Sequence, residues 1–284
     1  MNNITIKLLT THRLSMAILS LFILFCLAGC KADEEQMPPQ RNWQLVWSDE
    51  FDGASGTSPD PAKWVFDIGT GSNGWGNQEL QYYTGRPENA SMDGAGNLLI
   101  TARRETFSGA PFTSARIKTQ GLFAQAYGRF EARLKTPYGP GLWPAFWLLG
   151  ADIETVEWPQ CGEIDIMELR GQEPNIINGT VHGPGYSGGA AITQSFALFN
   201  DRFDADFHRY AIEWGKDYID YFVDDTLYQR ITPDDLPGEW VFDDPFFIIL
   251  NVAVGGTYVG FPTSQTPFPQ QMTVDYVRVY REAN

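Results

Sequence analysis

The chain has 284 residues, of which 35 are acidic, 20 basic and 14% aromatic, giving a formal net charge of -15. That balance, with no cluster of Lys and Arg, argues against nucleic acid as a partner, since phosphate binding depends on grouped cations. An acidic, aromatic-rich surface suits a neutral polyhydroxylated ligand, although solubility alone would account for the charge equally well. With three His and few thiols a zinc site is a poor expectation.

In chain order, Lys7 and Arg13 form a positive region, Met16 to Leu27 is almost wholly apolar, and Leu27-Ala28-Gly29-Cys30 sets small residues before a cysteine. The segment resembles a bacterial lipoprotein signal. That resemblance implies removal of residues 1–29, acylation of Cys30, and an exported protein held to a membrane or cell surface through that lipid. An ordinary signal or membrane anchor is the alternative, but the apolar run is shorter than the ~20 residues that span a bilayer. Loss of Lys7 and Arg13 would leave 18 basic against 35 acidic residues, or -17. Residues 30–42 are polar and acidic around Pro38-Pro39, a composition that reads as a flexible tether. Residues 43–284 then form one domain, expected to act as a monomer. Cys161 is its only thiol, so core burial must hold it, and the chain's nine Trp, twelve Tyr and nineteen Phe supply that core.

From Trp43 onward short alternating or aromatic runs predict strands at Leu98 to Arg103, Gly128 to Lys135, Ala145 to Leu149, Glu163 to Leu169, Arg209 to Trp214, Tyr218 to Val223, Phe246 to Val254 and Met272 to Tyr280. Gly, Pro, Asn and Asp separate them, and no long stretch carries a helical period. The pattern predicts an all-β sandwich or jelly roll.

Within Trp158-Pro-Gln-Cys-Gly-Glu163-Ile-Asp165-Ile-Met-Glu168, three acids interrupt an apolar run. On a regular strand Glu163 and Asp165 share a face and Glu168 points oppositely. A β-bulge near Ile166 or Met167 would return Glu168 to their side. Crowding like charges on one face opposes stability, which points to chemistry. Two carboxyls about 5 to 5.5 Å apart can serve as nucleophile and general acid across a glycosidic bond with retention of configuration. A solvated acidic strand or a hard-cation site is the bland alternative.

GEIDIME resembles the signature of glycoside hydrolase family 16 in its bulged, laminarinase-type form. Trp47 to Asp52, Gly74 to Tyr83, Tyr127 to Ala132, Leu142 to Trp147, Gly179 to Gly185 and Met272 to Tyr280 resemble further segments in the family's order. The resemblance implies a concanavalin A-like jelly roll with a concave substrate-binding sheet. It makes Glu163 the nucleophile, Asp165 the assisting carboxylate and Glu168 the acid/base, with no cofactor in catalysis. The implied substrate is a polysaccharide, a β-1,3-glucan such as laminarin or a β-1,3-1,4-glucan, cut internally. Trp143, Trp147 and Trp158 are the candidate sugar platforms, with core packing the competing reading for Trp147. The resemblance sets His182 beside the acids and Asn77, Glu79, Asn251 and Gln271 along the groove. It also implies a structural calcium held by backbone oxygens and one aspartate, at Glu50, Gly96 and Asp275. Two positions depart from the family: Tyr258 stands where a Trp often follows the paired glycines, so one platform is expected to be weaker or displaced, and Leu122 replaces a common Lys. The same family on agarose or carrageenan, or a non-catalytic glycan-binding lectin, are the rival readings.

Overall fold

Short alternating runs each have one face to bury, and two opposed sets of such faces make a sandwich. The computed structural model describes residues 41–283. The expected signal, Cys30 and the tether to residue 40 lie outside the described residues. The first strands are β1 (Trp43–Asp49), β2 (Val65–Phe66), β3 (Gln81–Tyr83), β4 (Ala90–Met92), β5 (Leu98–Phe107) and β6 (Ala110–Ser114). They are followed by β7 (Arg116–Lys118), β8 (Gly128–Lys135), β9 (Leu142–Gly150), β10 (Glu163–Leu169), β11 (Ile176–His182) and β12 (Ile192–Ala197). The last are β13 (His208–Gly215), β14 (Tyr218–Val223), β15 (Thr226–Ile231), β16 (Phe246–Val254) and β17 (Gln270–Glu282).

These strands form two sheets. One runs β15-β14-β13-β8-β17-β5-β6-β3, with β1 on β17 and β4 on β5; the other runs β12-β11-β10-β9-β16-β7-β2. Phe130, Leu134, Ile212, Trp214, Val277 and Val279 of the first sheet belong to one core cluster with Phe146, Leu148, Ile164, Val181, Ile248 and Leu250 of the second. β16 is buried at all nine positions: Phe246, Ile248, Leu250, Val252 and Val254 enter the core, and Asn251 on the other face pairs with Ala145 of β9.

The predicted bounds of β8, β10, β14 and β16 coincide with the observed ones, while β5, β9, β13 and β17 run longer at one or both ends. β11 was not legible because burial of nearly its whole length erases alternation, and Gly179 sits at its middle. A Cβ on Gly179 would stand 2.3 Å from the Tyr228 hydroxyl, so a close approach requires the glycine. The domain also begins earlier than Trp43. Arg41, placed in the tether for its polar surroundings, donates to Glu213 at 2.5 Å and lies 4.5 Å over the Tyr218 ring.

Candidate active site

β10 carries the site, and pairing on both sides of it locates the expected irregularity. Asp165 pairs with Trp147 and Glu168 with Ala145 on β9, while Ile166 has no β9 partner. On the other side Asp165 pairs with Thr180 and Glu168 with Asn178. Trp147 and Ala145 are two residues apart and share a face, so Asp165 and Glu168 share it too despite their odd spacing. Ile166 and Met167, which absorb the extra residue, are buried in the core cluster. Trp143 extends the same face of β9, and Asn251 pairs with Ala145 from β16.

Each acid has its own environment. Glu163 is the least buried and accepts the Trp158 indole N–H at 2.7 Å. Asp165 is buried, and His182 Nε2 lies 3.1 Å from its Oδ2 and 3.8 Å from Glu163 Oε1. The Gly188 backbone N–H donates to His182 Nδ1 at 3.1 Å. That bond assigns the ring proton to Nε2, the nitrogen facing the carboxylates. The approach to Asp165 is oblique, however, and Asp165 Oδ2 has no well-formed hydrogen bond. Glu168 is buried and accepts the Trp143 indole N–H at 2.9 Å.

Burial, then the negative charge of Glu163 and a hydrogen bond with it, hold the Asp165 carboxyl well above the usual range. Burial, then the charges of Asp165 and Glu163, raise Glu168 well above its usual value, with His182 and the Trp143 N–H opposing. A carboxyl raised in this way holds its proton more firmly than an exposed one and can donate it to a neighbouring base. Glu163, Asp165 and His182 offer ligand atoms within 4.8 Å of one another. The protonated Nε2 turned toward the carboxylates suits a hydrogen-bonding triad better than a metal centre.

The three expected platforms differ in setting. Trp158 is 43% exposed, whereas Trp143 and Trp147 are half-buried. The Trp147 indole donates to Asn251 Oδ1 at 2.8 Å, which fixes it on the groove face rather than in the core. Asn251 Nδ2 donates to the Tyr83 hydroxyl at 3.2 Å, and Tyr83 donates to Glu79 Oε2 at 3.3 Å. Gln81 at 2.6 Å and Asn77 at 3.2 Å complete the donors around Glu79, whose carboxyl burial raises. Asn77, Glu79 and Asn251 therefore join one polar network at the floor.

Gln271 does not join it. It pairs with Thr101 in the ten-stranded sheet, bonds the Thr101 hydroxyl at 3.1 Å and is exposed on that sheet's outer face. The resemblance set it along the groove, but β17 belongs to the other sheet.

Two contributors, Arg116 and Asn178, carried no sequence signal, and a third, Tyr258, was marked only as a departure from the family. The Arg116 guanidinium lies 4.8 Å from the rings of both Trp75 and Trp147. Tyr258 packs 5.0 Å from Trp143. Asn178 stands directly across from Glu168 and donates to the Tyr258 hydroxyl at 2.9 Å. These contacts join separate strands and loops, and no local spacing encodes them.

Comparison with known proteins gives a consistent result. The model of the glycosyl hydrolases family 16 matches residues 77–278. The chain is 46% identical over 274 residues to a beta-glucanase of Rhodothermus marinus, covering 92% of this chain and 93% of that protein. It is 40% identical to a glucan endo-1,3-beta-glucosidase of Cryptopygus antarcticus, over 77% of this chain and 83% of that one. The laminarinase catalytic domain of Thermotoga maritima superposes with a TM-score of 0.81 at 49% identity, covering 86% of this chain and all of that one.

Proposed function

Since the chain belongs to family 16 of the glycosyl hydrolases, we propose that it is an endo-acting, retaining β-1,3-glucanase. The observation that carries this reading is the bulge at Ile166, which brings Glu163 and Glu168 to one groove floor in unlike environments. Glu163 attacks the anomeric carbon as Glu168 gives its proton to the leaving glycosidic oxygen, forming a glycosyl ester and releasing one chain end. Glu168, now a carboxylate, takes a proton from water, the water oxygen bonds to the anomeric carbon, and the ester breaks to regenerate Glu163. Asp165 holds its proton toward Glu163 and positions the nucleophile, with His182 beside both.

The cations beside the groove favour a neutral glucan over a sulfated galactan. Arg116 and Lys118 are paired with Asp67 at 2.9 and 2.6 Å, and Arg170 with Glu173 at 3.3 Å. A sulfate would have to displace these carboxylates. Three crowded acids, of which Asp165 and Glu168 stand well above their usual range, are also more than a lectin needs. Reducing-sugar release from laminarin, lichenan and agarose tests the assignment. Laminarin is cleaved, the β-anomer forms first, and Glu163→Gln loses at least about 10³-fold in rate while remaining folded. Preference for agarose, or full activity in Glu163→Gln, would refute it.

A structural calcium is consistent with the fold. β5 and β1 lie end to end along one edge of β17, pairing up to Val274 and from Val277 respectively. Glu50 follows β1 and Gly96 precedes β5, so both border the stretch of β17 that carries Asp275. Arg133 takes Asp275 Oδ2 at 2.5 Å and Arg278 takes the Glu50 carboxylate at 2.8 and 3.0 Å. Backbone oxygens and the Asp275 carboxylate are the kinds of ligand that would hold the ion. The protein acts as a lipid-anchored, exported monomer, with Cys30 as the acylated residue. Membrane association unchanged in Cys30→Ser would exclude that anchor.

A further inference from the structure

Tyr258 occupies the position where a tryptophan platform was expected, yet its ring is already engaged. It lies 5.0 Å from the Trp143 ring at an interplanar angle of 43°, and the Arg170 guanidinium sits 4.4 Å over it. Its hydroxyl accepts from Asn178 Nδ2 at 2.9 Å, and Ser195 donates to Asn178 Oδ1 at 2.7 Å, fixing that amide's orientation. The Gln172 amide donates to the Val259 carbonyl at 3.0 Å and ties down the same loop. A sugar face would have to compete with partners already in contact. The glycines before it allow the approach: Gly256 has φ +126°, and a Cβ there would meet the Asn77 carbonyl at 3.1 Å and the Trp143 ring at 3.5 Å.

We infer that Tyr258, braced by Asn178 and Arg170, is a positioning residue that clamps Trp143 so that its indole N–H stays on Glu168. The chain of contacts runs Ser195, Asn178, Tyr258, Trp143, Glu168, beginning on β12 and ending on β10, the two strands that flank β11. The clamp matters because the acid/base must work in both protonation states. Burial and two neighbouring acids oppose the Glu168 carboxylate that the second step needs, and the indole N–H is one of the groups favouring it. Without the brace, a half-buried indole has other rotamers open to it, and the donor is lost. The inference rests on Glu168 being the acid/base.

The test reads the indole directly. In an amide and indole ¹H–¹⁵N spectrum of the whole enzyme, the Trp143 side-chain resonance is identified by its disappearance in Trp143→Phe. Tyr258→Ala is expected to shift that resonance upfield and abolish its protection from hydrogen exchange. It also moves the alkaline limb of kcat/KM on laminarin upward by about one pH unit, since a hydrogen bond to a charged group is worth about tenfold in a proton equilibrium. The same substitution in a Trp143→Phe background moves the limb no further. Asn178→Ala and Tyr258→Phe give the same changes in smaller measure, and Tyr258→Leu serves if Tyr258→Ala does not fold. An unmoved indole resonance, or a rise in KM with both limbs unchanged, would overturn the clamp and restore Tyr258 as a sugar platform. A wild type inactive on every β-glucan, whose indole still responds to Tyr258→Ala, would defeat the glucanase reading and leave the clamp standing.

Discussion

Replacing Glu168 by Gln should inactivate the enzyme and stabilise it, with a stability gain that depends on pH in one direction. The side chain is buried, and burial together with Asp165 and Glu163 raises its carboxyl well above the usual range. A group raised in the folded state contributes its full stability below its unfolded value, near 4.3, and that contribution is lost as pH climbs through the folded value. Glutamine has no proton to lose, keeps the shape, and offers an oxygen to the Trp143 indole in place of Glu168 Oε1. Each pH unit by which folding raises Glu168 corresponds to about 1.4 kcal/mol. In a domain of this size about 1 kcal/mol is worth roughly 2–4 °C of melting temperature. The melting temperature of Glu168→Gln minus that of the wild type should therefore lie near zero at pH 4, widen as pH rises, and level once Glu168 ionises in the folded state. Hydrolysis of laminarin should fall about 10²–10⁴-fold, and less on an aryl glucoside whose leaving group needs no proton. A difference that stays flat between pH 4 and 8, or turns negative at pH 8, would refute the assignment of Glu168 as the buried, proton-holding acid.

Deleting Ile166 should remove the bulge yet leave Asp165 and Glu168 two residues apart on one face of a regular β10, so that hydrolysis of laminarin persists while loss of a buried side chain costs roughly 2–5 kcal/mol in urea unfolding. A folded deletion variant with no activity on laminarin would show that bringing the acids to one face does not suffice. Trp158→Phe removes the 2.7 Å donor to Glu163 from an exposed side chain. It should lower kcat/KM about tenfold or more with the melting temperature unchanged, measured on laminarin and by thermal scan. If calcium occupies the gap at Asp275, a chelator lowers the melting temperature by several degrees and leaves the catalytic pH profile in place; no change in melting would remove that ion from the account.

The strand pattern and the acid cluster were legible in the sequence because both are local. Alternation in Gly128 to Lys135 and the uniformly apolar Phe246 to Val254 mark strands whatever surrounds them. The odd spacing from Asp165 to Glu168 demanded a bulge before any partner strand was known. What alternation cannot supply is the identity of the sheet. Gln271, set along the groove by the resemblance, lies instead on the sheet opposite it. Trp147 was undecided between core and groove until its bond to Asn251, 104 residues away, fixed it on the groove face. The roles of Arg116, Asn178 and Tyr258 likewise arise from cross-strand register and loop packing, where residues 80 apart in the chain meet at 2.9 Å. Periodicity is written into neighbouring residues, whereas pairing is chosen by whichever long-range arrangement buries both sheets at once. The sequence by itself thus determined the fold class and the clustering of three acids, and only the tertiary structure decided which side chains hold them in position.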